Sequence, residues 1–320
     1  MRYVDLGDSR VSIIGLGTRA FGSRTFGDGK ADLTEASRRI LERAIELGVN
    51  LIDTAELYGF GASEKLIGSA LSCAPQQAFL ATKILPLSYS RSYLRRRCQK
   101  SLTRLRAEVI DLYQMHFPNP FASLDSLADS LVALRDSGMV CAFGVSNFGV
   151  PDWDRLEAIS GLRIESNQVR YSLLSRGPEM EHLPFALAKN RVIIAHSPLE
   201  QGVLAGKYDR GNRPGGIRRF NRHFSPDALE RMQPLLFTLE RVAASHQASP
   251  AQAALAWVIS HPNVVAIPGA SSVAQLEANV AAAEIRLSEQ EVAELDYASE
   301  LYARSAGNRL FRSIRTRAGI

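Results

Sequence analysis

The stretch EASRRILERAIELGVNLID, residues 35–53, contains the unit that is repeated along this chain. Its apolar residues recur at helical spacing and predict an amphipathic helix over Glu35–Leu47. Gly48 follows where a left-handed residue commonly ends a helix. The apolar run Leu51–Asp53 has the character of a short buried strand. The stretch therefore indicates a helix, a tight turn and a strand that ends on a carboxylate.

The same alternation of apolar runs and amphipathic stretches continues in both directions. A second helix is predicted over Leu124–Ser137, again followed by a glycine, Gly138. The predicted strands are Ile13–Leu16, Leu51–Asp53, Phe79–Lys83, Ile110–His116, Phe143–Ser146, Glu165–Gln168, Val192–Ser197 and Val264–Ile267. Eight strands with helices between them predict an α/β fold of one closed parallel (β/α)8 TIM barrel.

Four further features complete the predicted architecture. Residues 1–12 precede the first barrel strand and predict a short N-terminal hairpin at the bottom of the barrel. Leu199–Pro226 forms a long loop after the seventh strand, and it is rich in glycine and arginine. Residues 1–320 are expected to form one domain, because α/β barrels of this length are single domains. For 299–320 the sequence leaves open a flexible tail, a cover over the barrel mouth or a surface for association.

An open, doubly wound sheet is the alternative fold. The first strand ends in GLGTRAFG, residues 15–22, which contains glycines as dinucleotide-binding sheets do. No helix starts directly after these glycines, whereas the dinucleotide fingerprint requires a helix that opens at them. The closed barrel is therefore favoured.

Composition excludes several classes of protein. The chain has 320 residues, of which 46% are hydrophobic and 22% charged, and this is typical of a soluble globular protein. It contains neither a signal-peptide pattern nor an apolar run long enough to cross a bilayer. The net charge of +5 comes without any nucleic-acid-binding motif. The three cysteines, Cys73, Cys98 and Cys141, form neither a disulfide framework nor a metal motif. We expect a cytoplasmic protein with no nucleic-acid or membrane partner.

Four polar residues stand where a barrel places its chemistry, at or just beyond the carboxyl ends of strands. Asp53 ends NLID, Tyr58 lies in TAELYG, Lys83 closes FLATK, and His116 closes LYQMH. A phenol is a poor acid at neutral pH, but an ammonium beside it favours the phenolate. A carboxylate would keep that ammonium charged, and an imidazole could hold a carbonyl oxygen. These four residues predict a proton donor aimed at a carbonyl oxygen. None of them can supply a hydride, so the set also predicts a hydride-donating cofactor.

Seven stretches, in this order, resemble the aldo-keto reductases over nearly the whole chain. They are IDTAELYGFGASEKLIGSAL, ATK, DLYQMHFPNP, GVSNF, NQVRYSLL, SPLEQGVLAGKY and IPGASSVAQLEAN. The resemblance implies reduction of aldehydes or ketones by NAD(P)H without a metal. It also implies that Tyr58 is the general acid, that Lys83 acidifies it, that Asp53 pairs with Lys83 and that His116 orients the carbonyl.

The resemblance also implies a set of cofactor contacts. Ser146, Asn147 and Gln168 match positions that hold the nicotinamide carboxamide. Ser197 and Leu199 match positions near the diphosphate. In residues 269–279, Gln275 and Asn279 match polar positions at the adenosine end.

The chain departs from the family pattern in two places. His196 stands before SPL, where relatives carry an aromatic residue stacked on the nicotinamide, and its protonation would place a charge there. In GASSVAQ no lysine or arginine follows the IPG turn to hold a 2′-phosphate. The arginines of 210–222 are one alternative source of charge. We expect NADPH as the cofactor, with NADH as the alternative.

The substrate and the oligomeric state stay open at this stage. A small-molecule carbonyl compound is the expected partner. Two alternatives to a general reductase are a regulatory subunit that binds nucleotide and senses redox state, and a biosynthetic ketoreductase with one dedicated substrate.

Overall fold

The computed structural model describes residues 1–21, 33–71, 78–215 and 220–317, with the backbone alone at 33–34 and beyond Ser305. The predicted positions Cys73, Arg218 and Arg219 lie outside the described residues. The N-terminal hairpin is confirmed: β1 (Tyr3–Leu6) pairs antiparallel with β2 (Ser9–Ser12).

The predicted barrel is confirmed. Eight parallel strands follow one another around the sheet in chain order. Hydrogen bonds join the last strand to the first, from Gly15 N to Ala266 O at 2.8 Å and from Ala266 N to Ile13 O at 2.9 Å. The strands are β3 (Leu16–Gly17), β4 (Leu51–Asp53), β5 (Phe79–Ile84), β6 (Ile110–Met115), β7 (Val140–Ser146), β8 (Ile164–Arg170), β9 (Val192–His196) and β10 (Val264–Ala266).

The strand boundaries agree with the predictions to within a few residues. The start differs by three residues at β7, predicted at Phe143 and found at Val140, and also at the first barrel strand, predicted at Ile13–Leu16 and found at Leu16–Gly17. The residues just before it still bond to the last strand, as given above, so they belong to the barrel wall. Gly15 allows β4 to approach closely, because a Cβ there would lie 2.9 Å from Leu51.

Ten α-helices are assigned in the described part of the chain, and most of them cover the outside of the barrel. They are α1 (Leu33–Glu46), α2 (Ala62–Ala70), α3 (Arg91–Leu105), α4 (Leu124–Asp136), α5 (Val150–Ser160), α6 (His182–Ala188), α7 (Pro226–Ser245), α8 (Pro250–Val258), α9 (Val273–Ala281) and α10 (Glu289–Arg317). Gly48 and Gly138, with φ of +79° and +69°, follow α1 and α4 in the left-handed conformation that was predicted. None of the helices so described is both long and apolar enough to span a membrane.

The segment after β9 is the long loop that the sequence predicts. It contains short 3₁₀ turns at Glu200–Ala205 and Arg222–Phe224. Two of its arginines have local partners, because Arg210 pairs with Glu230 at 3.2 Å and Arg213 Nε donates to Phe224 O at 2.7 Å. These two side chains therefore tie the loop to itself and to α7.

The C-terminal segment is helical through Arg317 as part of α10. Tyr302 is buried in this helix, and its hydroxyl lies 2.8 Å from Nδ1 of His223 in the loop after β9. Ser299 donates a hydrogen bond to Leu173 O, close to the end of β8. The first turns of the expected tail thus pack against the loops at the barrel mouth.

Helix α2 packs closely on α3 through a glycine. A Cβ at Gly68 would lie 2.5 Å from the backbone carbonyls of Arg104 and Leu105, closer than real Cβ atoms approach. The contact matters for the mouth of the barrel because α2 follows directly on the loop that carries Tyr58.

We predict that Gly68→Ala lowers the free energy of unfolding by about 3 kcal/mol, since the added methyl group meets rigid backbone. Urea denaturation followed by circular dichroism measures this. Gly177→Ala is the control, because nothing lies within 4 Å of a Cβ there, and its effect should stay within about 0.5 kcal/mol. Equal stability of the two variants would contradict the close approach of α2 and α3.

Candidate active site

The four predicted catalytic residues come from three neighbouring strands. Asp53 ends β4, Lys83 lies next to the end of β5, and His116 directly follows β6. Because β4, β5 and β6 are parallel and adjacent, their carboxyl ends open at the same mouth. Tyr58 begins a 3₁₀ turn between β4 and α2. The structure therefore brings all four residues to one place.

A buried ion pair forms the centre of this site. Lys83 Nζ lies 2.8 and 2.7 Å from the two carboxylate oxygens of Asp53, and it donates to Thr54 O at 2.8 Å. The Lys83 side chain is fully buried and that of Asp53 is 2% exposed. Burial acts to lower the pKa of Lys83, but the charge of Asp53, helped by Tyr58, outweighs it and raises that pKa. Lys83 is therefore held as an ammonium.

The Tyr58 hydroxyl points at this ammonium. Its oxygen lies 3.5 Å from Lys83 Nζ, which is also 5.1 Å from the centre of the Tyr58 ring. Three left-handed residues follow Tyr58 and turn the chain into α2, since φ is +56° at Gly59, +54° at Phe60 and +89° at Gly61. Two of the three are glycines, which adopt such angles without strain.

His116 faces the tyrosine from the other side. The two ring centres are 5.9 Å apart and nearly perpendicular, and Phe117 stacks on the imidazole at 4.4 Å. Burial, with the nearby charges of Lys83 and Arg19, lowers the pKa of His116 to about 3. Nδ1 of His116 is buried and has no hydrogen-bond partner among the described residues. His116 is therefore a neutral imidazole whose Nδ1 can still form a hydrogen bond.

The predicted nicotinamide-binding residues surround the ion pair. Gln168, near the end of β8, donates through Nε2 to Asp53 Oδ1 at 2.7 Å. Ser146 ends β7 and donates to Gln168 O at 2.9 Å. Asn147 follows with φ +60°, and its Nδ2 donates to His116 O at 3.3 Å and to Ser146 Oγ at 3.0 Å. Hydrogen bonds thus join these three residues to one another and to Asp53 and His116.

His196 and the turn after it lie further around the same mouth. Burial, together with the charges of Lys83 and Arg170, lowers the pKa of His196 to about 4. Its Nδ1 is 3.2 Å from Ser197 Oγ. Leu199 is half-buried two residues further on. The ring of His196 is therefore neutral at physiological pH, unlike the charged state considered from the sequence.

Gln275 and Asn279 lie on α9, and no described contact joins them to the four predicted catalytic residues. Gln275 Oε1 accepts hydrogen bonds from the backbone and hydroxyl of Ser271, both at 2.9 Å. Asn279 Nδ2 donates to Gly269 O at 3.3 Å, and Gly269 pairs with Gly17 where the barrel closes. These side chains order the turn before α9 at the seam of the barrel.

Sequence reasoning missed three polar residues that support the site. Gln114 lies two residues before His116, and its Nε2 is 3.5 Å from Asp53 Oδ1. The absence of a side chain at Gly144 makes room for it, since a Cβ there would lie 3.0 Å from Gln114 Cγ. The period of two in a strand places Gln114 and His116 on one side, so this residue had a readable signal.

The other two polar residues that support the site are Glu56 and Arg19. Glu56 is buried and accepts from Leu85 N and Arg97 Nε, both at 2.7 Å, which ties the Tyr58 loop to the end of β5. Arg19 is exposed in the turn after β3, and its charge contributes to the lowered pKa values of His116 and His196. No local pattern distinguishes either residue from a surface charge.

Comparison with known proteins shows which proteins this chain resembles in sequence and in fold. A model of the aldo/keto reductase family matches residues 13–300. A protein of Mycobacterium tuberculosis named as an uncharacterized oxidoreductase is 47% identical over 291 residues, which covers 91% of this chain and 90% of that protein. A methylglyoxal reductase of Escherichia coli is 34% identical over 293 residues, covering 91% of this chain and 92% of its own. The crystal structure of an aldo/keto reductase from Klebsiella pneumoniae in complex with NADP and acetate matches with a TM-score of 0.75 and 29% identity, covering 92% of this chain and 94% of that one.

We predict that the protein loses stability as the pH falls. The pKa values of His116, His196 and His223 are lowered from 6.5 to about 3, 4 and 4, so the unfolded chain binds protons that the folded protein excludes. Their contribution is complete above pH 6.5 and is lost as the pH falls towards 4. Urea denaturation at several pH values should show this decline.

The variant His196→Gln isolates one of these groups. It should reduce by about one the number of protons bound on unfolding near pH 5, which appears as a shallower dependence of unfolding free energy on pH. The same slope in the variant and the unaltered protein would contradict a neutral buried His196.

Proposed function

Because the chain belongs to the aldo/keto reductase family of oxidoreductases, we propose that it reduces an aldehyde or ketone to an alcohol with NADPH as the hydride donor. One observation carries the proposal. Lys83 Nζ lies within 2.8 Å of both Asp53 oxygens and 3.5 Å from the Tyr58 hydroxyl. This is the arrangement that a tyrosine needs in order to give up its proton.

Tyr58 acts as the general acid in this proposal. Its hydroxyl proton passes to the carbonyl oxygen of the substrate as negative charge develops there. The Lys83 ammonium stabilises the phenolate that is left behind, because an opposite charge at short range favours the ionised form. Asp53 keeps that ammonium charged and in place. The three side chains therefore work as one unit.

His116 holds the carbonyl in this proposal. With a pKa of about 3 it is neutral at physiological pH, and a neutral imidazole still offers one N–H donor. A donor that is already in position lowers the cost of charge building up on the carbonyl oxygen. Its unpartnered Nδ1 supports a role in binding, since buried polar atoms normally have partners.

The residues around the mouth fit a nicotinamide cofactor. Ser146, Asn147 and Gln168 bring hydroxyl and amide groups to the edge of the catalytic site, where they would hold the carboxamide. NADPH, when bound, supplies the hydride that the carbonyl carbon receives. His196 would lie against the nicotinamide, and its neutral ring supports this because a charged ring would repel the oxidised cofactor.

Ser197 and Leu199 would contact the diphosphate in the same scheme. Gln275 and Asn279 would shape the adenosine end, where they already order the turn before α9. We infer that the whole chain, residues 1–320, works as one domain, because one continuous apolar core extends from Leu6 to Tyr302.

NADPH is preferred to NADH in this proposal. The crystal structure of the Klebsiella pneumoniae relative is a complex with NADP, which supports the choice. The groups near the start of α9 are Ser271, Ser272 and the backbone N–H groups of a helix N-terminus. They can hold a phosphate without a charged side chain, although more weakly than an arginine would.

The Tyr58→Phe variant tests the proposed function. We expect the rate of carbonyl reduction to fall by about a thousandfold, the range known for loss of a general acid, while the Kd for NADPH stays within about twofold. Absorbance of NADPH reports turnover of a panel of aldehydes and ketones. The panel includes methylglyoxal because of the Escherichia coli relative.

Tyr93→Phe is the matched control for this experiment. The Tyr93 hydroxyl donates to Leu85 O at 2.8 Å, near the end of β5, and does not take part in the proton transfer. Its removal should change the rate less than about twofold. A normal rate in Tyr58→Phe would refute the assigned acid. Tight nucleotide binding without turnover of any carbonyl would favour the regulatory alternative.

We predict a modest preference for NADPH over NADH, of about fivefold at low ionic strength. This corresponds to about 1 kcal/mol, the value of an anion at a helix N-terminus. Titration of nucleotide fluorescence measures both Kd values, and the difference should shrink in 0.5 M salt because charge interactions are screened (a Debye length of roughly 4 Å). Equal affinities would mean that the chain gains no binding energy from the 2′-phosphate, and a preference above a hundredfold would point to a charged donor such as an arginine of 210–222.

A further inference from the structure

The turn that follows β9 holds a strained backbone. Three residues that are not glycine have left-handed φ values, +55° at Ser197, +49° at Glu200 and +60° at Gln201. Such conformations persist only where the surrounding structure holds them. Within the turn, Glu200 N donates to Ser197 O at 2.9 Å and Gly202 N donates to Leu199 O at 2.8 Å. Local backbone bonds of this kind are also made in relaxed turns, so another contact is needed to hold this one.

An ion pair with a buried carboxylate supplies that contact. Arg170, the last residue of β8, donates through Nε to Glu200 Oε1 at 2.8 Å, and its Nη2 contacts Oε2. Ser172 Oγ also donates to Oε1 at 2.9 Å. The Glu200 side chain is fully buried, whereas 41% of the Arg170 side chain is exposed. A buried carboxylate that loses its partner is costly, so the pair resists opening.

The pair lies beside the residues that bind the cofactor in the proposed function. Glu200 directly follows Leu199 and is three residues from Ser197, the two positions assigned to the diphosphate. Arg170 is two residues beyond Gln168 on the same side of β8, and Gln168 bonds to Asp53. The ion pair therefore connects the strained turn to the strand that supports the catalytic carboxylate.

We propose that the Arg170–Glu200 ion pair, the turn clasp, holds residues 196–202 in the conformation that receives the diphosphate of the cofactor. Arg170 and Glu200 are then positioning residues for nucleotide binding, and this inference rests on the proposed function. When the clasp opens, the turn relaxes and only a fraction of the molecules can bind. The apparent Kd rises by the inverse of that fraction.

Binding of NADPH to three variants tests the clasp. Glu200→Gln and Arg170→Met should each raise the Kd about tenfold, as expected if about a tenth of the molecules keep the competent turn. The double variant Arg170→Met/Glu200→Met should bind no more weakly than either single variant, because all three remove the same clasp. At saturating NADPH, kcat should stay within about twofold, since the proton donor is untouched.

A matched ion pair at the opposite end of the same two strands provides the control. Arg191 Nε, just before β9, donates to Glu157 Oε1 at 2.8 Å, and their side chains are 9% and 10% exposed. Glu157 also accepts from the backbone N of Ile164, the first residue of β8, at 2.9 Å. Arg191→Met should lower the Tm at least as much as Arg170→Met, but it should leave the Kd for NADPH within about twofold.

The outcomes separate the clasp from its alternatives. If the Arg170 guanidinium bound phosphate directly, Glu200→Gln would free the guanidinium from its carboxylate partner. Nucleotide would then bind equally well or more tightly, and that result would overturn the clasp. An equal rise in Kd for Arg191→Met would mean general loosening and would also overturn it. If the other variants fail to fold, Arg170→Gln removes the charge of the clasp but keeps an N–H donor for Glu200, and an unchanged Kd there overturns the proposal. An unaltered protein that binds neither NADPH nor NADH overturns both the clasp and the proposed function.

Discussion

The arrangement of side chains at the barrel mouth depends on the ammonium group of Lys83, which is buried away from water. Lys83 has no exposed side-chain surface, and such a group is stable only because Asp53 meets it with both carboxylate oxygens and Thr54 adds a carbonyl. Removing one partner of a buried pair leaves an uncompensated charge and costs about 3–5 kcal/mol. The raised pKa of Lys83 shows that the charge of Asp53 outweighs the cost of burial. The site therefore stays charged at its centre, and the two histidines near it stay neutral.

The barrel makes this arrangement because its strands are parallel and in chain order. Asp53, Lys83 and His116 each lie at or next to the end of a neighbouring strand, so the closure of the sheet brings them together without any special loop. Gln168 reaches the same carboxylate from β8, at the other side of the barrel interior. The interior must also have room, and Gly144 provides it next to Gln114. The chemistry of the mouth thus follows from strand order, register and one missing side chain.

Much of this could be predicted from local patterns. The strand Leu51–Asp53 was predicted with its observed bounds, because a short apolar run after a glycine-ended helix has few other readings. The convergence of Asp53, Tyr58, Lys83 and His116 could be inferred, since carboxyl ends of parallel strands share one mouth. The support from Glu56 could not be predicted, because its partner Arg97 is 41 residues away on α3. A buried glutamate and a surface glutamate look alike in a sequence.

The sequence by itself determined the order of helices and strands, the turns at Gly48 and Gly138, and the polar residues at the strand ends. These features depend on periodicity and on the conformations that each residue allows, which are local properties. The tertiary structure alone decided which polar groups become partners, as Arg170 and Glu200 do across 30 residues, and which histidines lose their charge. Partnership depends on separations of about 3 Å and charge depends on exclusion of water, and both arise only when the barrel closes and residues distant in the chain meet.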